Sequence, residues 1–444
     1  MLKNKLYRKI IGLYDYIEEL EEDDYFNKAS NIALKSYNNA VKYLKDNFDK
    51  LDEIHYVSLY RIINEQIIPK IRLIQRAKTR DIPWSLISNL DELLKNAFDA
   101  NCFLLYRPQW KFNYCVYTED INSYLQKVLI FFFREDAEKI KNTLFSKDKV
   151  HIFSFPYLEK NNVLLNSVIG HEIGHFYHKS WVSGKYKGKI EKDHNIALGK
   201  YYNEQNKNNE SYYSYNNTNE GLKILSGLYR EIIPDIYGYY LFGPSIIFSL
   251  FFDLLVFETK PILPSKETEY YPMMKYRIRI LVEHIMKKDI PLKEKLLYGD
   301  LGCSPILNKM INEIDECLRD DDDLKLWSSK SKEKELFEST LEGIISDIKT
   351  EIERNKPGGY LKYENIERLF RNLCSKIPIN ELDGRPVDIM EIIFTGWIYY
   401  AKIDKKLQKE EFVQDNKLLM RLLLKSLYSS YTHKKYIDKD KSEK

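Results

Sequence analysis

Two histidines four residues apart, with a glutamate beside the first, form the sharpest chemical feature of this chain: His171-Glu172-Ile173-Gly174-His175, set in NNVLLNSVIGHEIGHFYHK. On an α-helix, positions i and i+4 share a face, so both imidazoles can address one ion. Glu172 sits next to them, where its carboxylate can take a proton from a water polarised by that ion. Leu164, Leu165, Val168 and Ile169 give the preceding turns an apolar face, which predicts a helix from about Asn162 through His178. Gly174 lowers helix propensity by about 1 kcal/mol relative to alanine, so it implies close approach of a backbone or substrate, or a packing need.

Two histidines do not hold zinc; a third protein ligand is required, with a fourth position left for water. Glu231 and Asp235, in LYREIIPDIYGYY, occupy one helical face in an otherwise apolar stretch, where acidic groups need partners. Glu231 suits the metal, and Asp235 suits the free ring N–H of a ligand histidine, fixing its tautomer. Glu220 and Asp235 itself are the alternative third ligands. Pro234 lies between the two acids and would cost ~3 kcal/mol or more inside a helix. The helix is therefore expected either to begin near Arg230 or to kink there. A tetrahedral oxyanion needs a further donor; Tyr237, Tyr270, Tyr271, Arg277 and His284 are the candidates, with Arg277 and Tyr271 preferred. His178 stands one turn past His175, too far along the helix to share the ion. His55, His151, His194, His284 and His433 form no further ligand spacing.

HEIGH followed by Glu231-x-x-x-Asp235 resembles the gluzincin class of zinc metallopeptidases, of which thermolysin is the best known. The resemblance implies His171, His175 and Glu231 as zinc ligands, Glu172 as general base and Asp235 as the orienting partner. It also implies that the short strand at Val150–Phe155 is an edge strand against which a peptide substrate pairs. Tyr271-Pro272-x-x-x-x-Arg277 is similar to the segment after the glutamate helix in membrane-bound prenyl-protein and heat-shock metallopeptidases. Those families carry transmembrane helices, which are not expected here. About 55 residues separate His175 from Glu231, longer than the thermolysin interval. Asp235-Ile-Tyr237-Gly238 is also similar to the aspartate-ligand zincins, but one residue short of their spacing.

The elements that must position these groups read as mainly helical, an α+β chain with a small sheet beside the active-site helix. Residues 1–145 are expected to be amphipathic helices interrupted by one or two strands in CFLLYRPQWKFNYCVY, with 124–133 open to either assignment. Residues 146–285 form the expected catalytic core, including the strand VHIFSFPY and a polar insertion at 180–220, rich in Lys, Asn, Ser and Tyr. Residues 286–444 form a C-terminal helical region that includes 389–403 and 416–428 and ends in a frayed charged tail, THKKYIDKDKSEK. Ile236–Phe252 is strongly apolar but is broken by Gly243-Pro244 and followed by Asp253. A buried helical pair is expected there, not a membrane span.

The overall balance restricts function further. Across 444 residues, 69 Lys+Arg against 66 Asp+Glu leaves a formal charge of +3, no footprint for a nucleic-acid partner. Five scattered cysteines without CxxC spacing exclude a disulfide framework and a cysteine-based zinc knuckle. No signal peptide is expected, because Asp15 and Glu18 interrupt any apolar run, which favours the cytoplasm. The expected activity is zinc-dependent hydrolysis of peptide or protein substrates, as an endopeptidase before an exopeptidase. The alternative is a helical binding or scaffold protein that keeps a structural or vestigial zinc site.

Overall fold

The computed structural model describes residues 2–22, 28–76, 86–90, 102–110, 114–116, 120–175, 212–254, 272–298, 301–319, 332–355, 361, 363–404 and 409–442. The chain is mainly helical with a small sheet, and it divides into two compact units, Met1–Asn161 and Asn162–Lys444. The strand foreseen within 146–285 falls in the first unit. His171, His175, Glu231, Asp235 and Arg277 all fall in the second.

In the first unit, helix α1 (Leu2–Glu21) buries Leu6, Ile10, Leu13, Ile17 and Leu20, a three-and-four spacing that makes one apolar stripe. That stripe packs on α2 (Lys28–Asp46), whose Ala29, Ala33, Tyr37, Ala40, Val41 and Leu44 are buried. Strand β1 (Cys102–Gln109) lies parallel to β3 (Lys149–Pro156) over their full length, from Cys102 opposite Lys149 to Gln109 opposite Pro156. The short β2 (Cys115–Val116) pairs antiparallel on the other side of β3, so the order is β1-β3-β2. This corrects the expected edge strand: β3 is central, flanked on both sides at Phe153 and Ser154. Its residues are buried from Val150 to Pro156, as in a strand covered on both faces. Residues 124–133, open to either assignment by periodicity, fall in helix α3 (Ile121–Phe132) up to Phe132. Asp120 caps it by accepting from the Ser123 backbone N–H at 3.0 Å.

In the second unit, a 3₁₀ turn at Leu165–Val168 leads into helix α4, residues 169–175 among those described. Helix α5 (Tyr212–Phe242) is continuous for 31 residues and passes through Pro234. A start near Arg230 is thereby replaced by a start at Tyr212, and the last part of the expected 180–220 insertion is helical. Residues 180–211 and His178 lie outside the described residues. Gly243, at φ +59°, then turns the chain into Ser245–Phe248, all of it buried, as expected of a paired apolar segment. Among the described residues no helix is long and apolar enough to cross a membrane.

Further helices of this unit include α6 (Met274–Ile280), α7 (Ser304–Arg319), α8 (Lys332–Asn355), α9 (Ile366–Cys374), α10 (Ile389–Ile403) and α11 (Lys409–Ser442). A two-residue hairpin joins β4 (Glu381–Leu382) to β5 (Arg385–Pro386). Its Asp383-Gly384 turn has φ of 51° and 74°, the left-handed pair that such a turn demands. Helix α10 starts with a capping box between Asp388 and Glu391 and buries Trp397 beside Phe248 and Phe252. The charged tail does not fray through Ser442. Lys434 reaches Asp388 at 2.9 Å and His433 lies 3.7 Å from Glu381, so two contacts hold α11 to the body of the unit about two turns before its end.

Candidate metal centre

Helix α4 meets α5 through small residues on both sides. A Cβ on Gly170 would stand 2.9 Å from the Gly238 Cα, and one on Gly174 would stand 2.7 Å from the Pro234 carbonyl oxygen. Gly170 and Gly174 are four apart, as are Pro234 and Gly238, and they match in opposite order, so the two helices run antiparallel in backbone contact. The spacing of packed helices is set by the side chains between them; here glycines let the backbones meet, with the Phe242 ring and Pro234 beside them. That closeness brings residues just off the seam, His171 on α4 and Glu231 and Asp235 on α5, within side-chain reach of one another. Ser167 Oγ, 3.0 Å from the Ser245 carbonyl, and Ser249 Oγ, 3.0 Å from the Leu164 carbonyl, anchor the turn leading into α4.

Each of His171, His175 and Glu231 offers one ligand atom such that all three lie within 4.8 Å of one another. The two imidazoles stand edge to face with centroids 4.7 Å apart, and His171 Nε2 is 3.6 Å from Glu231 Oε2. This is a His/His/carboxylate group able to hold a metal ion, and its donor chemistry fits zinc. On the far side of the ring, His171 Nδ1 lies 2.7 Å from Asp235 Oδ1. With Nδ1–H donating to Asp235, the Nε2 lone pair faces Glu231 and His175, which is the tautomer a ligand needs. Glu172 follows His171 directly, is 8% exposed, and lies near enough for its charge to act on the His171 ring. Glu220 is eleven residues before Glu231 on α5, roughly 16 Å along the axis at 1.5 Å per residue.

Arg277, on α6, is 9% exposed and lies at the centre. Its Nε donates to Asp235 Oδ2 and its Nη2 to Asp235 Oδ1, both at 2.7 Å, a bidentate fork. Its Nη1 is 3.5 Å from Glu231 Oε2. Burial disfavours the Asp235 carboxylate, but Arg277 and His171 outweigh it and hold its pKa down at about 2. Burial likewise opposes a charged His171, and Asp235 overrides it, raising its pKa above the ordinary value; the same hydrogen bond makes Nε2 a stronger donor.

The structure therefore brings His171, His175, Glu172, Glu231, Asp235 and Arg277 together. Tyr271 and Tyr270 lie outside the described residues. Two other oxyanion candidates are engaged elsewhere: Tyr237 donates to Glu351 on α8 at 3.0 Å, and His284 pairs with Glu342 at 3.0 Å. Arg277 was expected as a donor to a transition-state oxygen, but its guanidinium is turned onto two carboxylates. The signal for that partnership was present in YRIRILVEHIM: a buried arginine in an apolar run needs acids as surely as Asp235 needs a base. The Gly170/Gly174 and Pro234/Gly238 match is a second sequence signal of the site, two four-residue spacings that fit each other. No family model, curated protein or solved structure matches this chain.

Proposed function

We propose that this chain is a zinc-dependent metallopeptidase that hydrolyses internal peptide bonds, with His171, His175 and Glu231 as zinc ligands and Glu172 as general base. The observation that carries the reading is the convergence of those three ligands beside Glu172, with the far nitrogen of His171 held by Asp235. A site of three protein ligands leaves a position open, as catalytic zinc requires. When bound, zinc supplies an acidified water and polarises the scissile carbonyl.

The protein's own contributions follow from the positions of its side chains. Glu172 takes the proton of the attacking water and returns it to the departing amine, a role that suits a carboxylate largely withdrawn from solvent. Asp235 keeps the proton of His171 on Nδ1 throughout. Substrates are unfolded or flexible polypeptides, because groups this deeply seated reach only a chain that can enter the centre. The balanced charge gives no reason to expect a nucleic-acid partner, and a reducing compartment suits five free cysteines.

The test is hydrolysis of casein and of a mixed quenched-fluorescence peptide pool. Cleavage is expected with zinc-loaded protein, to vanish on chelation by 1,10-phenanthroline, and to return when zinc is restored. Zinc-loaded protein that cleaves neither would contradict the peptidase assignment.

A further inference from the structure

Arg277 touches both carboxylates that the centre depends on, and it comes from a third element, α6, separate from the helices bearing the ligands. We propose that Arg277 is a positioning residue that assembles the metal centre: one guanidinium fixes the third ligand, Glu231, and the orienting carboxylate, Asp235, so that the donors converge before an ion arrives. The inference rests on the metal-centre reading above and adds to it a residue that touches neither ion nor substrate.

Each nitrogen of the guanidinium faces a carboxylate oxygen, and Nη2 also lies 3.2 Å from His171 Nδ1. Nε and Nη2 take the two oxygens of Asp235 at 2.7 Å each, which aligns that carboxylate edge-on to the fork. Nη1 lies 3.5 Å from Glu231 Oε2, the same oxygen that stands 3.6 Å from His171 Nε2. Arg277 thus stands against the Glu231 oxygen nearest His171 Nε2 while it holds the orientation of His171 through Asp235 and sits beside Nδ1 itself.

Charge points the same way. Glu172, Glu231 and Asp235 are three carboxylates in one buried neighbourhood and would repel one another without a cation among them. Arg230, 3.9 Å from the other oxygen of Glu231, is 60% exposed and screened by water, so among the described residues Arg277 is the buried cation of the group. Lysine cannot substitute: its ammonium is a point charge and cannot fork onto Asp235 while reaching Glu231.

The experiment measures Zn²⁺ affinity by competition with a chromophoric chelator, and the visible spectrum of the Co²⁺-loaded protein, in the full chain. Arg277→Lys should weaken Zn²⁺ binding about 10–100-fold and change the Co²⁺ bands, because outer partners of metal ligands carry effects of that size. In the Asp235→Asn background, Arg277→Lys should still cost about tenfold through the Glu231 arm. Affinity in Arg277→Lys within twofold of the unaltered protein would overturn the proposal. So would a cost that disappears entirely in Asp235→Asn, which would leave Arg277 acting on Asp235 alone. Arg277→Gln carries the same comparison if the lysine variant does not fold. A zinc-free crystal structure of the unaltered chain should keep both arms, and an Arg277 turned away from Glu231 would overturn the proposal without any variant. Failure of the unaltered protein to bind Zn²⁺ would instead remove the metal-centre reading itself.

Discussion

Replacing Glu172 with glutamine is expected to reduce peptide hydrolysis by a factor of about 10²–10⁴ while zinc remains bound. The substitution keeps the size and planarity of the side chain and removes its capacity to accept and pass on a proton. It leaves His171, His175 and Glu231 untouched, so zinc content should match that of the unaltered protein. The residue is nearly enclosed at 8% exposure, so bulk water does not readily replace it as the proton carrier. Peptide cleavage at the unaltered rate would remove Glu172 as the base. Loss of zinc together with loss of activity would instead assign it a place in the metal's own coordination.

The second large effect concerns stability. Gly174→Val is expected to lower stability by about 3 kcal/mol or more, at or beyond the upper end for overpacking. The obstacle is the backbone of α5. A Cβ would meet the Pro234 carbonyl oxygen at 2.7 Å and its Cβ at 2.9 Å, and lie nearer still to its Cα, so no side-chain rotation relieves the clash. Parting α4 from α5 also parts His171 from Asp235 and Glu231, so zinc affinity should fall with stability. For a unit of this size the loss corresponds to a melting temperature roughly 6–12 °C lower. Gly343→Ala on α8 is the control: nothing lies within 4 Å of its added Cβ, and it should be neutral or stabilising by up to ~1 kcal/mol. Equal melting temperatures for Gly174→Val and the unaltered protein would show that the two helices are not in backbone contact.

What the sequence disclosed and what it withheld divide by range of interaction. His171 and His175 are related by one turn of one helix, so their shared face follows from spacing alone. Glu231 and Asp235 were recognisable because carboxylates in an apolar stretch demand partners, although which partners they find depends on a contact more than fifty residues away. Arg277, on the other side of Asp235, shows its need for acids by lying in an apolar run, but which acids it meets depends on how α6 packs, and no local pattern reports that. Strand β3 was legible as a strand from its β-branched and aromatic residues. Its central place was not, because parallel pairing with β1 joins segments far apart in the chain. Pro234 by its local cost implies either a helix start or a kink; α5 runs through it from Tyr212, and its ring and Cα pack against Gly174. The tail after Tyr431 looked unheld because its anchors, Asp388 and Glu381, lie more than forty residues upstream.

The central claim, that His171, His175 and Glu231 hold one zinc ion, is tested most directly by the zinc content of the purified protein, measured by mass spectrometry of the metal. The comparison is with His171→Ala, His175→Ala and Glu231→Ala, each confirmed as folded by circular dichroism. One zinc per chain is predicted for the unaltered protein, with each single replacement losing most of it at equal free zinc. A metal-free unaltered protein in zinc-containing buffer, or zinc retained in full by all three variants, would contradict it.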